Sequence, residues 1–165
     1  MPEIVFDTCV ISNFALAGAL GIMESLYRNK ACITDFVSVE MLRGIQGGHA
    51  RLSAIPKAVQ AGWLREIGLR TGKERELFET LSVSLGLGEA SSIAVAKRRG
   101  LRFASDDRMA RAEAARLNVP LTGTLGILAK AVRGGICELR TADAYLGKMI
   151  EAGFFSPVRS VREIA

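Results

Sequence analysis

A single histidine, His49, occurs in the 165 residues, and it stands in a glycine-flanked stretch, Gly47-Gly48-His49, that reads as a surface loop. Nucleophilic catalysis with a histidine base therefore has no well-placed candidate. Cysteine is scarce: Cys9, Cys32 and Cys137 are odd in number, widely spaced and without a C-x-x-C pair, which argues against a zinc or dithiol site. All three lie in apolar surroundings and read as small core residues of a protein in a reduced, cytoplasmic compartment. Aromatic residues make up 6% of the chain and are scattered, so no base-stacking platform of the single-strand-binding type is evident. The longest apolar tract, Val10 to Leu26, is interrupted by Asn13 and Glu24 and falls short of a membrane span. No basic n-region precedes a small-residue cleavage site, so neither a signal peptide nor membrane association is expected. Repeats, low-complexity segments and linkers are absent, which leaves one domain over 1–165.

What is present is globular in balance, with 49% hydrophobic and 24% charged residues. The net charge of +5 is mild. It serves solubility, or it provides a basic surface that attracts a polyanion.

Short apolar runs alternate with helical patterns. Strands are expected at Glu3–Phe6, Ala31–Ile33, Trp63–Ile67, Leu101–Ala104 and Val119–Leu121. Between them the pattern predicts helices over Ile11–Tyr27 (with breaks at Gly18 and Gly21), from Thr34 or Asp35 to Gly44, and over Lys73–Leu85. Further helices are predicted over Glu89–Arg99, Asp107–Leu117, Thr124–Val132 and Thr141–Glu151. Such alternation implies an α/β sandwich around a parallel sheet.

Four acidic motifs punctuate this pattern: Asp7 in V-F-D-T, Glu40 in V-E-M-L-R-G, Glu89 in L-G-L-G-E-A, and Asp106-Asp107 in F-A-S-D-D. In an open parallel sheet, ligands bind beyond the carboxyl ends of the strands. Asp7 directly follows the first strand, and Asp106 and Asp107 follow the fourth. Glu89 opens the helix that runs back to that fourth strand, and Glu40 joins them if its helix packs beside the site. Clustered carboxylates raise one another's pKa and resist joint ionisation without cations, and hard oxygen ligands suit Mg²⁺ or Mn²⁺. Each acid also has a plain structural role open to it. Asp106 or Asp107 suits a helix N-cap, Glu89 offsets a helix dipole, and Glu40 suits an ion pair with Arg43. Asp7, in nearly wholly apolar sequence, is the hardest to explain in that way.

The motifs D-T-C-V-I-S-N, V-E-M-L-R-G, G-E-A-S-S-I-A-V-A-K and F-A-S-D-D-R-M-A-R resemble, in order and spacing, the four motifs of PIN domains, including the VapC-like toxins. The later P-L-T-G-T-L-G-I-L-A-K and A-G-F-F-S resemble a subgroup of stand-alone PIN proteins, one less tied to known toxins. The resemblance covers essentially the whole chain and implies a three-layer α/β/α sandwich with divalent-metal-dependent endoribonuclease activity. It makes Asp7, Glu40, Glu89 and Asp107 the catalytic acids and holders of one or two Mg²⁺ or Mn²⁺ ions, with Asp106 a further ligand candidate. Thr8 and Ser105 are the adjacent hydroxyls. For toxin members it also implies a small antitoxin partner and commonly a homodimer.

For RNA contact, Lys97, Arg98, Arg99 and Arg102, with Arg108 and Arg111, are nearest the acids in sequence. Lys97–Arg99 equally suit a helix C-terminus. Two other classes remain to be weighed: a catalytically silent PIN-like module binding RNA or protein, and a haloacid-dehalogenase-like phosphatase. The phosphatase needs a second Asp at position 9, which is Cys.

Overall fold

A computed structural model describes residues 2–164. Five short strands form one parallel sheet: β1 (Ile4–Phe6), β2 (Ala31–Thr34), β3 (Leu64–Ile67), β4 (Arg102–Ala104) and β5 (Leu121–Thr122). Their spatial order is β3-β2-β1-β4-β5. β1 is the centre, with Ile4 opposite Ala31 on one side and Arg102 on the other.

Nine α-helices are described: α1 (Thr8–Leu16), α2 (Leu20–Tyr27), α3 (Asp35–Gln46), α4 (Ala54–Ala61), α5 (Gly72–Leu81), α6 (Leu87–Arg99), α7 (Arg108–Arg116), α8 (Thr124–Arg133) and α9 (Leu139–Glu151). Strand alternation sends Ile4, Phe6, Ile33 and Leu64 into a core under α1, α2, α4, α8 and α9. Val5, Cys32 and Phe103 enter a second core under α5, α6 and α7. Both faces are covered, which is why β1 and β2 read as unbroken apolar runs. The architecture is the three-layer α/β/α sandwich.

The sheet order has a functional consequence. From β1 the chain adds β2 and then β3 on one side, then returns past β1 to lay β4 and β5 on the other. The switch of direction lies between β1 and β4, and the crevice at their carboxyl ends is the favoured ligand position in such sheets. The Asp7 N–H donates to Ala104 O at 3.0 Å, closing that seam.

Several elements differ from the sequence pattern. The expected helix over 11–27 is two helices bent by 120°, broken at Gly18, whose φ of +71° a side chain would resist. Gly21 instead lies inside α2. A 3-10 turn over 50–53 and α4 occupy a stretch to which the pattern assigns nothing. Pro56 sits in the first turn of α4, where a missing N–H is tolerated. The polar helix stops at Leu81, and β5 is displaced to 121–122. No single helix among the described residues is long and apolar enough to cross a membrane. The bent α1–α2 pair has the composition but buries Phe14 and Met23 in the core.

One buried ion pair ties α5 to α6. Glu74 closes a capping box with Thr71 and accepts from Arg99 Nε at 2.8 Å, while Arg99 also donates to Gly68 O. The Arg99 hydrogen bonds hold the Glu74 carboxyl down to about 2. With the folded value depressed, its contribution is present above the ordinary 4.5 and is lost as pH falls toward 2. Glu74→Ala is expected to cost about 3 kcal/mol, because Arg99 is left half-buried and unpaired. Urea denaturation at pH 7 and pH 3 checks it, with the deficit shrinking at the lower pH.

Candidate active site

Asp7 sits at the N-cap of α1 immediately after β1. Its Oδ1 accepts from Val10 N at 3.1 Å and Cys9 Sγ at 2.9 Å. The residue is 1% exposed, and its Oδ2 is buried with no hydrogen-bond partner, the one such side-chain atom among the described residues. Burial, with a smaller contribution from the charge of Asp106, raises the Asp7 carboxyl to about 6, against the lowering effect of Cys9, the Ser105 hydroxyl (near but not in bonding geometry) and the Val10 N–H. Burial, and then the charge of Asp7, push the thiol of half-buried Cys9 well above the ordinary range. Its Sγ is a donor to Asp7 Oδ1.

Glu40 reaches the site from α3. Its Oε2 accepts from Thr8 Oγ1 and its Oε1 from Gly88 N at 3.1 Å. The second bond places a carboxylate on one of the free N–H groups that open α6, where the helix dipole favours negative charge. Glu89 lies one residue further along the same turn. Burial, and then the charges of Asp107, Asp7 and Glu40, push its carboxyl up to about 7. Glu89 thus lies within electrostatic reach of the other three acids, and the fold gathers at one rim what the sequence spreads over a hundred residues.

After β4 the two neighbouring aspartates divide their roles. Asp107 caps α7, accepting from Ala110 N at 2.8 Å, and its own N–H donates to the buried Ser105 Oγ. Asp106 points across the seam, where it accepts from Thr124 N at 2.9 Å, from Thr124 Oγ1, and from Asn13 Nδ2 at 3.2 Å. Asn13 and Thr124 are site residues that the sequence reading does not include. They fix Asp106 between α1 and α8. A cleft of ≈ 270 Å³ opens above, lined by Cys9, Asn13, Glu89, Asp106, Asp107 and Phe154 among others.

Among the described residues no three Asp, Glu, His or Cys side chains form a ready-made metal shell. Glu40 is turned onto Thr8 and Gly88, and Asp106 onto Asn13 and Thr124. The donors nonetheless fit a hard divalent cation. They are all oxygens, one is a buried carboxylate oxygen with nothing to bond, and two of the acids are pushed toward protonation by burial and by neighbouring carboxylates.

The basic residues do not all join them. Lys97, Arg98 and Arg99 close α6 at the end opposite Glu89, about 12–15 Å away along the axis, and Arg102 begins β4 at the far edge of the sheet. Lys97 donates to Leu117 O, Arg102 to Leu121 O, and Arg99 is held by Glu74. Adjacency in sequence to Glu89 misleads here, because a helix and a strand carry these residues to the other rim. Arg108, exposed on the first turn of α7, and Arg111 remain on the acidic side. Arg111 NH1 is engaged by Ser105 O and Thr122 O.

Asn13→Ala is expected to free Asp106 without disturbing the core, lowering turnover at the acidic cleft about tenfold while thermal stability shifts by roughly 1 kcal/mol. Kinetics and melting curves on the same sample measure both effects. Unchanged kinetics would remove Asn13 from the site.

A family model for DUF3368, described as a PIN domain, matches residues 3–165. No curated protein matches the chain.

Proposed function

The chain belongs to the PIN-domain family, whose members are generally nucleases, and we propose that it is a divalent-metal-dependent endoribonuclease acting on RNA phosphodiesters. The observation that carries this reading is the buried Asp7 carboxylate with an unpartnered oxygen at the β1–β4 switch, within the field of Asp106 and Glu89.

In this reading Asp7, Glu40, Glu89 and Asp107 hold one or two Mg²⁺ or Mn²⁺ ions, with Asp106 a further ligand. When bound, such ions activate a water and stabilise charge on the attacked phosphate. The chain's own residues prepare the place. Thr8 and the Gly88 N–H hold Glu40 in one orientation, Ser105 fixes the turn that aims Asp107, and Asn13 with Thr124 locks Asp106. Arg108 and Arg111 are the cations on the acidic rim able to take flanking phosphates, a contact that is salt-dependent and indifferent to sequence.

A toxin role with a small antitoxin partner, a homodimeric state and a cytoplasmic location complete the proposal. They rest on the VapC-like pattern of the motifs and on three free cysteines. A second reading, a silent PIN-like module that binds RNA or protein, draws support from Glu40 and Asp106 already being engaged in protein hydrogen bonds.

Incubating mixed cellular RNA with the protein in Mg²⁺, Mn²⁺ or EDTA separates the two. Cutting that EDTA stops, and that Asp7→Asn lacks, supports the nuclease. Tight binding without cutting by either protein supports the silent module.

A further inference from the structure

Phe155 is 99% exposed, the most exposed large apolar side chain among the described residues. Its position is built. Helix α9 ends at Glu151 with Ala152 as its C-cap, and Gly153 follows at φ +114°, a conformation in which a side chain would be strained. The Gly153 N–H bonds to Ile150 O and the Phe154 N–H to Met149 O. This reversal lays Phe154 against the core and turns Phe155 out to solvent.

Two openings meet at this pair. Phe154, Phe155 and Asp106 line the acidic cleft and also a larger groove of ≈ 440 Å³ that runs on toward the start of α8. The groove adds the polar Arg111 and Thr122 and the apolar Leu121, Leu125 and Pro157 to its walls, among others. It is therefore continuous with the acids, carries a guanidinium, and has an aromatic ring at its mouth.

The geometry points to a nucleotide subsite: Phe155 stacks an unpaired base of the RNA strand next to the phosphodiester held at the acids, and Arg111 faces that nucleotide from the groove wall. The inference rests on the nuclease reading for its substrate. Every base has a π-face, so such a contact accepts any sequence but requires that the base be unpaired. The subsite would thus select single-stranded RNA over duplex. The wall is mixed, with Leu121, Leu125 and Pro157 beside Asp106, Arg111 and Thr122, which suits a nucleotide with an apolar base face and a charged backbone.

The test uses short single-stranded oligoribonucleotides carrying 2-aminopurine at successive positions, titrated with the metal-free protein in EDTA so that binding is read without cleavage. Wild type is expected to quench the probe strongly at one position. Phe155→Ala is expected to lose that quench and bind about tenfold more weakly, the order that one base–aromatic stack contributes, whereas Phe155→Tyr retains both. An abasic nucleotide at the same position should erase the difference between wild type and Phe155→Ala. Phe155→Ala should fold normally, since the ring touches solvent on nearly every side.

Unchanged quenching and affinity in Phe155→Ala, with metal-dependent cleavage intact, would overturn the subsite and leave the nuclease standing. Loss of self-association in Phe155→Ala without any change in RNA binding would also overturn it, assigning the ring to a second copy of the chain. Phe155-dependent quenching by a protein that cuts no RNA would keep the stacking contact and remove the nuclease.

Discussion

Asp7→Asn is expected to abolish metal-dependent RNA cleavage and, in EDTA at neutral pH, to make the protein more stable than wild type. Asn keeps an oxygen to accept from Val10 N and carries no charge to bury. The Asp7 carboxyl is raised from 3.8 to about 6, chiefly by burial. The sign follows from that direction. Below pH 3.8 the group is protonated in both states and costs nothing. Between 3.8 and 6 the unfolded chain ionises while the folded chain resists, so stability falls. Above about 6 the full loss, of order 2–3 kcal/mol, is in place.

Urea denaturation in EDTA should show wild-type stability declining from pH 4 to pH 6.5, with a flatter curve for Asp7→Asn. Adding Mn²⁺ at pH 7 should restore the wild type by mass action and leave the variant where it was. A variant less stable than wild type at pH 7, or one equally stabilised by Mn²⁺, would sink the assignment of Asp7 as a metal ligand.

Gly88→Ala should be nearly as damaging to activity through a different route. A Cβ at Gly88 would stand 2.7 Å from Glu40 Oε2 and 2.8 Å from Oε1. The side chain that must give way is the flexible end of a proposed ligand, so the fold survives while the carboxylate swings off the α6 N-terminus. Alanine also favours the helix by up to about 1 kcal/mol relative to glycine, which offsets the lost hydrogen bond. The expected result is a melting temperature within a few degrees of wild type and a cleavage rate about a hundredfold lower, the usual scale for misplacing a catalytic group by an ångström. Glu40→Gln provides the comparison, since it keeps the size and removes the charge. Wild-type turnover in Gly88→Ala would mean that the pose of Glu40 does not matter to the reaction.

The parts of this molecule readable from sequence were those set by local chemistry. Short, mainly apolar runs just before Asp7 and Asp106 located β1 and β4, and Thr34 or Asp35 before an amphipathic run marked the start of α3, where the Thr34 side chain accepts from Val37 N. The convergence of Asp7, Glu89, Asp106 and Asp107 on one rim followed from the rule for parallel sheets. What stayed hidden depends on contacts between distant segments. Asn13 looked like an interruption of an apolar tract, and only the packing of α1 against the β4 turn and α8 reveals it as a donor to Asp106. The basic run Lys97–Arg99 looked close to Glu89 because chain distance ignores the length of a helix. Phe155 stood beside Phe154 in A-G-F-F-S, and no pattern in five residues shows which of two adjacent phenylalanines is buried. Gly88 stood in the motif before Glu89, but nothing there showed why it must be small, because its smallness matters only to a side chain from α3.

The centre of the sheet joins strands nearly a hundred residues apart in the chain. Phe6 pairs with Ala104, and the Asp7 N–H closes on the Ala104 carbonyl. A growing chain releases β1, α1 and α3 early, yet none of them can complete the acidic rim until β4 and the turn after it have left the ribosome. The strap on Asp106 waits longer still, for Thr124, and the aromatic mouth waits for α9 to end. Domains of this size close as cooperative units, so nascent fragments carry the acids without the centre. The order of elements along the chain thus decides which parts of the site a fragment can hold: the acids of α1 and α3 come first, and the strand and turn that complete them come later.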